Sequence, residues 1–150
     1  MEELYMKEAL KEAKKAFLKD EVPIGAVIVK NGKIIARAHN LKELRKDTTC
    51  HAEILAIKKA SKKLNNWRLE DCDLYVTLEP CSMCAGAIIH SRIKRIFIGT
   101  MDEKTGACGS VLNLLEDYKF NHKVEVNKYI LEEQCEEILK KFFKKLRKAK

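Results

Sequence analysis

The sequence predicts an α/β domain in three layers, with helices on both faces of a mixed sheet of about five strands. Three observations predict it. Helical and strand periodicities follow one another in the order αββαβαβ(β)α, an Asn31-Gly32 turn makes the first two strands antiparallel, and the later strand–helix–strand units make parallel pairs.

The elements follow in order. From Glu2 to Lys19, Met6, Ala9, Leu10, Ala13 and Phe17 share one helical face among lysines and glutamates, which predicts an amphipathic helix closing near Asp20. Residues 24–29 and 33–38 are apolar, β-branched runs on either side of Asn31-Gly32, the strongest short hairpin signal. A polar loop from Leu41 to Thr49 leads to a helix over His51–Leu64, with Ile54, Leu55, Ile57 and Leu64 at helical spacing and Thr48 and Thr49 available as caps. Residues 73–78 form a compact strand, and Pro80 presets the turn into a helix from Cys81 to about His90. Residues 95–99 form another strand and residues 124–126 a short one. Leu131, Cys135, Ile138, Leu139, Phe142 and Leu146 mark a final amphipathic helix.

At 150 residues the chain fits one domain, 1–150, without internal repeat or linker. Acids and lysines interrupt the N-terminal apolar residues, and no stretch is long enough to cross a bilayer, so neither secretion nor membrane insertion is expected. The six cysteines are therefore expected to be reduced, four as buried thiols and two as metal ligands, in the cytoplasm. Net charge is +8, from 30 basic and 22 acidic residues. Residues 140–150 hold seven cations and no acid, so the body is nearly neutral and the end of the last helix is basic. Such an end suits a polyanion, or simply complements the helix dipole.

His51-x-Glu53 and Cys81-x-x-Cys84 hold three zinc-ligand side chains and one carboxylate. A structural zinc closes its tetrahedron with four protein groups, whereas a catalytic zinc leaves a place for water and lowers its pKa to about 7. Three ligands thus point to water activation, with Glu53 as the proton shuttle of a hydrolytic deamination. The 30 positions between His51 and Cys81 suit two adjacent strand-to-helix transitions that meet at one sheet edge, where helix N-termini stabilise thiolates. Three other readings compete. A redox pair at Cys81 and Cys84 leaves His51-x-Glu53 without use. A closed zinc site recruiting Cys50 needs adjacent side chains to converge. A nucleophilic cysteine leaves the second cysteine unexplained.

Beyond the zinc motif, Glu21-Val22-Pro23-Ile24-Gly25-Ala26, Asn40, Leu74 to Cys81, Met83-Cys84-Ala85-Gly86-Ala87, Ile89-His90-Ser91-Arg92-Ile93, Lys104-Thr105-Gly106-Ala107, Asn121-His122 and Phe142-Phe143 extend over nearly the whole chain. In these blocks the chain resembles the bacterial tRNA-specific adenosine deaminases of the TadA type, within the cytidine-deaminase-like superfamily. The resemblance implies the three-layer cytidine-deaminase-like fold. It also implies deamination of the wobble adenosine of a tRNA anticodon to inosine, by a homodimer with one zinc per subunit. It places Asn40 on the purine and Ile24 in the pocket wall, with Asp102, Lys104, Asn121, Phe142, Phe143 and Arg147 near flanking nucleotides or backbone. Bland roles compete for some of these: Asn40 and Asp102 as turn caps, Phe142 as core. Trp67 and Arg68 could meet RNA or a partner subunit, or form a half-buried anchor. The chain departs from the family at Thr48, Cys50 and Cys108, where proline, alanine and alanine are usual. The alternatives for function are a deaminase of a free nucleobase or nucleoside and an RNA-binding module with a structural zinc.

Overall fold

The structure is a computed structural model and describes residues 1–149; Lys150, the last charge of the basic run, lies outside the described residues. Ten elements follow one another: α1 (Glu2–Leu18), β1 (Gly25–Lys30), β2 (Lys33–His39), α2 (Lys42–Arg45), α3 (Ala52–Leu64), β3 (Cys72–Leu78), α4 (Ser82–His90), β4 (Arg95–Thr100), β5 (Glu125–Asn127) and α5 (Glu132–Lys148). The sheet order is β2-β1-β3-β4-β5. β1 is antiparallel to both neighbours and the other pairs are parallel, giving the expected mixed sheet of five strands. Asn31 and Gly32 both take positive φ, as the two-residue hairpin turn requires.

Strand alternation builds two cores. Ala26, Ile28, Leu74, Val76, Ile96 and Ile98 face Leu55, Ala56, Ala85 and Ile88 of α3 and α4. Val27, Val29, Tyr75 and Phe97 face Tyr5, Met6 and Ala9 of α1 and Cys135 of α5. Each large side chain so buried contributes about 1.5–3 kcal/mol, so both helical layers clamp the sheet. α1 approaches β1 closely enough that a Cβ on Gly25 would overlap the Ala9 carbonyl and the Ala13 amide.

Three local expectations are corrected. The loop after β2 contains the short helix α2, whose first turn is held from outside: the Glu21 carboxylate accepts the amides of Glu43 and Leu44 at 3.0 and 2.7 Å. Neither Thr48 nor Thr49 caps α3. The Thr49 hydroxyl is committed to Asp47 at 2.7 Å, and His51 is itself the N-cap residue. The two strand-to-helix transitions are not adjacent in the sheet, because β1 lies between β2 and β3. They still meet because β2 and β3 run in the same direction, which brings both carboxyl ends to one edge.

A candidate metal and nucleotide site

His51 and Cys81 are each the extended N-cap residue of a helix, Cys81 directly after β3 and His51 after β2 and the short α2. Neither side chain caps its helix, which leaves both free to turn toward each other. His51 Nδ1 lies 3.6 Å from Cys81 Sγ and 3.6 Å from Cys84 Sγ. Cys84 joins them because the first turn of α4 carries position 84 round to the face of position 81. All three ligand atoms lie within 4.8 Å of one another, and among the described residues this is the set of three that could hold a metal ion. Zinc bonds of about 2.0 Å to nitrogen and about 2.3 Å to sulfur at a tetrahedral angle put N and S about 3.5 Å apart, so the donor set fits that ion. Cys50 is buried but outside the set, which removes the closed four-ligand reading. All six cysteines are free.

The charges at this corner are mutually dependent. The hydrogen bond from Cys84, then His51, draws the Cys81 thiol down to about 4 against the effect of burial. The same bond and burial push the Cys84 thiol up, and the bond to Cys81 raises the His51 imidazole. Glu53, in the first turn of α3, is 4% exposed, and burial pushes its carboxyl up to about 7. It stands beside the ligand set without belonging to it, and its pKa suits a group that takes and returns protons near neutral pH.

A cavity of about 830 Å³ opens at this edge, and of the four motif residues only His51 reaches its wall. Ile24, Asn40, Asp102, Lys104 and Phe143 line it as well. Asn40 is buried and held by its own bonds: its amide donates to the Val22 carbonyl at 3.3 Å and its Oδ1 accepts the Lys42 amide at 3.1 Å. Asp102 accepts the amides of Lys104 and Thr105 and the Thr105 hydroxyl, so the bland role of turn cap is real beside its place in the wall. Sequence reasoning missed Tyr129, Glu132 and Glu136 in this wall, because only the packing of α5 across β4 brings them there.

A second recess of about 580 Å³ runs along α5, lined by Lys104, Lys140, Lys144 and Arg147 with Phe143 between the two cavities. Phe142 lines neither. It is buried with its ring edge-on to Phe17 at 6.1 Å, because the 100° step between neighbours on a helix turns one phenylalanine inward and the other outward. Asn121 is exposed in the segment before β5 and also lines neither. Trp67 is 57% exposed with the Arg68 guanidinium 5.0 Å from its ring centre, so it is no half-buried anchor. It follows the C-terminal end of α3, opposite His51. Cys108 is buried, and burial pushes its thiol up, which makes it inert.

Residues 2–147 match the MafB19-like deaminase family. The chain is 56% identical to a tRNA-specific adenosine deaminase of Bacillus subtilis (strain 168) over 149 residues, covering 99% of this chain and 92% of that one. It superposes with a TM-score of 0.87 on a structure from studies of A-to-I editing by tRNA:A34 deaminases at the wobble position of transfer RNA. There the identity is 44%, covering 90% of this chain and 98% of the other. A guanine deaminase structure from Bacillus subtilis is 42% identical with a TM-score of 0.63, covering 66% of this chain and 64% of that one.

Proposed function

Because the chain belongs to the tRNA-specific adenosine deaminases and carries the MafB19-like deaminase domain, we propose that it converts the wobble adenosine of a tRNA anticodon to inosine. The convergence of His51 Nδ1 and two cysteine sulfurs at 3.6 Å, beside a buried Glu53, carries this reading. His51, Cys81 and Cys84 would hold one zinc per subunit. When bound, the ion supplies a Lewis acid that lowers the pKa of water to about 7.

The chain's own residues do the rest. Water oxygen bonds to C6 of the adenine ring and the C6–N6 bond breaks, so adenosine and water become inosine and ammonia. Glu53 takes one proton from the water and delivers it to ring N1, then moves the second water proton from the oxygen now on C6 to the departing nitrogen, which leaves as ammonia. The cavity at His51 receives the flipped base, which the unpaired anticodon loop yields at small unstacking cost. Ile24 and Asn40 form the wall on the β1–β2 side, Asn40 by a side chain whose orientation its own bonds hold. Lys104, Phe143 and Arg147 meet flanking nucleotides and phosphates along α5, with Asp102 shaping the loop that carries Lys104. No helix among the described residues is long and apolar enough to cross a membrane. A tRNA substrate, as its tRNA-specific relatives have, supports placing the enzyme in the cytoplasm, and we propose that it acts there as a homodimer.

The likeness to a guanine deaminase supports a second reading, deamination of a free base. Product analysis separates the two. An anticodon stem-loop with adenosine at the wobble position should yield inosine, while free adenosine, cytidine and guanine stay unchanged. Ammonia released only from a free base would overturn the tRNA reading.

A further inference from the structure

Glu79 is buried at the end of β3, one residue before Pro80-Cys81, and among the described residues no cation pairs with it. A buried carboxylate is tolerable only when its oxygens are satisfied, and these are satisfied by a single loop. Oε1 accepts the Asp102 amide at 2.8 Å and the Ser110 hydroxyl at 2.5 Å. Oε2 accepts the amides of Cys108 and Ser110 at 2.9 and 3.0 Å. A carboxylate offers about four lone-pair sites, and four donors from residues 102–110 fill them. The neighbouring backbone adds two bonds: the Glu79 amide to the Thr100 carbonyl at 2.8 Å and the Ala107 amide to the Pro80 carbonyl at 2.9 Å. Gly106 is glycine because a Cβ there would overlap the Glu79 carboxyl group.

The first half of this loop forms part of the wall of the cavity that His51 also lines. Asp102, Lys104 and Thr105 all line it. The Glu79 carboxylate holds the Asp102 amide, and the Asp102 carboxylate in turn holds Lys104 and Thr105 at 3.0 and 3.3 Å through their amides. The loop's shape is thus templated from the same strand end that presents Cys81.

We propose that Glu79 is a positioning residue for substrate binding: by holding the 102–110 loop, its carboxylate sets residues 102–105 as a preformed part of the cavity wall registered to the Cys81 corner. Glutamine keeps the size but cannot do this. Its single oxygen accepts at most two of the four donors, and its NH2 group points hydrogens at the other two. The proposal rests on the tRNA reading for its substrate, and one arm of its test does not.

In zinc-loaded Glu79→Gln, hydrogen exchange at the Asp102, Cys108 and Ser110 amides should accelerate. KM for the anticodon stem-loop should rise by roughly 10- to 100-fold, with kcat changed less than about threefold and zinc content intact. If Glu79→Gln does not fold, Ser110→Ala removes one donor alone. It should raise KM by a few-fold and speed exchange at the same amides. Unchanged exchange and KM in a folded Glu79→Gln, or in Ser110→Ala should that be the only variant to fold, overturns the proposal. So does a fall in kcat that tracks lost zinc with KM unmoved. If wild-type enzyme leaves the stem-loop unedited, the tRNA reading fails, and the exchange arm still decides whether Glu79 moulds the loop.

Discussion

The two recesses that share Phe143 differ in charge. The cavity at His51 carries Asp102, Glu103, Glu132 and Glu136 against Lys42 and Lys104, whereas the recess along α5 carries Lys104, Lys140, Lys144 and Arg147 against Glu136 alone. An acidic pocket repels phosphate and accepts a neutral base; a basic groove does the reverse. The difference teaches that the positive end of the chain does not serve the reaction directly. In the proposed reading it would hold the backbone on either side of a base entering a pocket unfriendly to anions.

The largest effect should come from the corner behind the cavity. Glu53→Ala should lower kcat by about 10²–10⁴-fold while zinc content, measured by elemental analysis, stays at the wild-type value. Surviving turnover would break the division between a reacting corner and a binding groove. Next in size is the contrast between neighbouring phenylalanines. Phe142→Ala should cost about 3–5 kcal/mol of unfolding free energy in denaturant titration. Phe143→Ala should leave stability nearly unchanged and weaken stem-loop binding by the worth of one stacked base, about 1–3 kcal/mol. The reverse pattern would move the groove to the other face of α5.

Replacing Lys144 and Arg147 with alanine should flatten the dependence of log K on log salt by about one for each phosphate contact removed, leaving zinc content unaltered. An unchanged salt slope would mean that the groove is an ordinary solvated helix end. The smallest effect concerns Glu12, which underlies the wall that Asn40 contributes, through His39 at 2.9 Å. Burial raises its carboxyl, but the hydrogen bonds from His39 and Lys15 outweigh that and hold it below its usual 4.5. The folded pKa is the depressed one, so the stabilisation is complete above about pH 4.5 and is lost as pH falls through the lower folded value. The difference in Tm between wild type and Glu12→Gln should therefore narrow on acidification below that point.

Much of this was readable in advance because its causes are local. The Asn31-Gly32 turn, the alternation of Ile28 with Val29 and the proline before Cys81 act within a few residues of themselves. The cluster that could hold a metal, His51, Cys81 and Cys84, was readable because coordination chemistry demands those side chains whatever the fold. The caps of α3 were misread because Asp47 competes for Thr49, and α2 was missed because what holds it, Glu21, lies 22 residues upstream of Glu43. Phe142 and Phe143 are identical in type and adjacent in sequence, and only the packing of α5 against α1 decides which is core.

By itself the sequence determined the motif residues proposed for the reaction, His51, Glu53, Cys81 and Cys84, and the alternation of strands and helices that carries them, since both depend on residue type and short spacing. The tertiary structure alone decided that β1 lies between the two strand ends and that Glu79 holds the loop across from them. It also decided that the acidic cavity and the basic groove are separate places sharing one aromatic ring. Burial, register and the meeting of distant loops are properties of the packed chain, and no local pattern of residues encodes them.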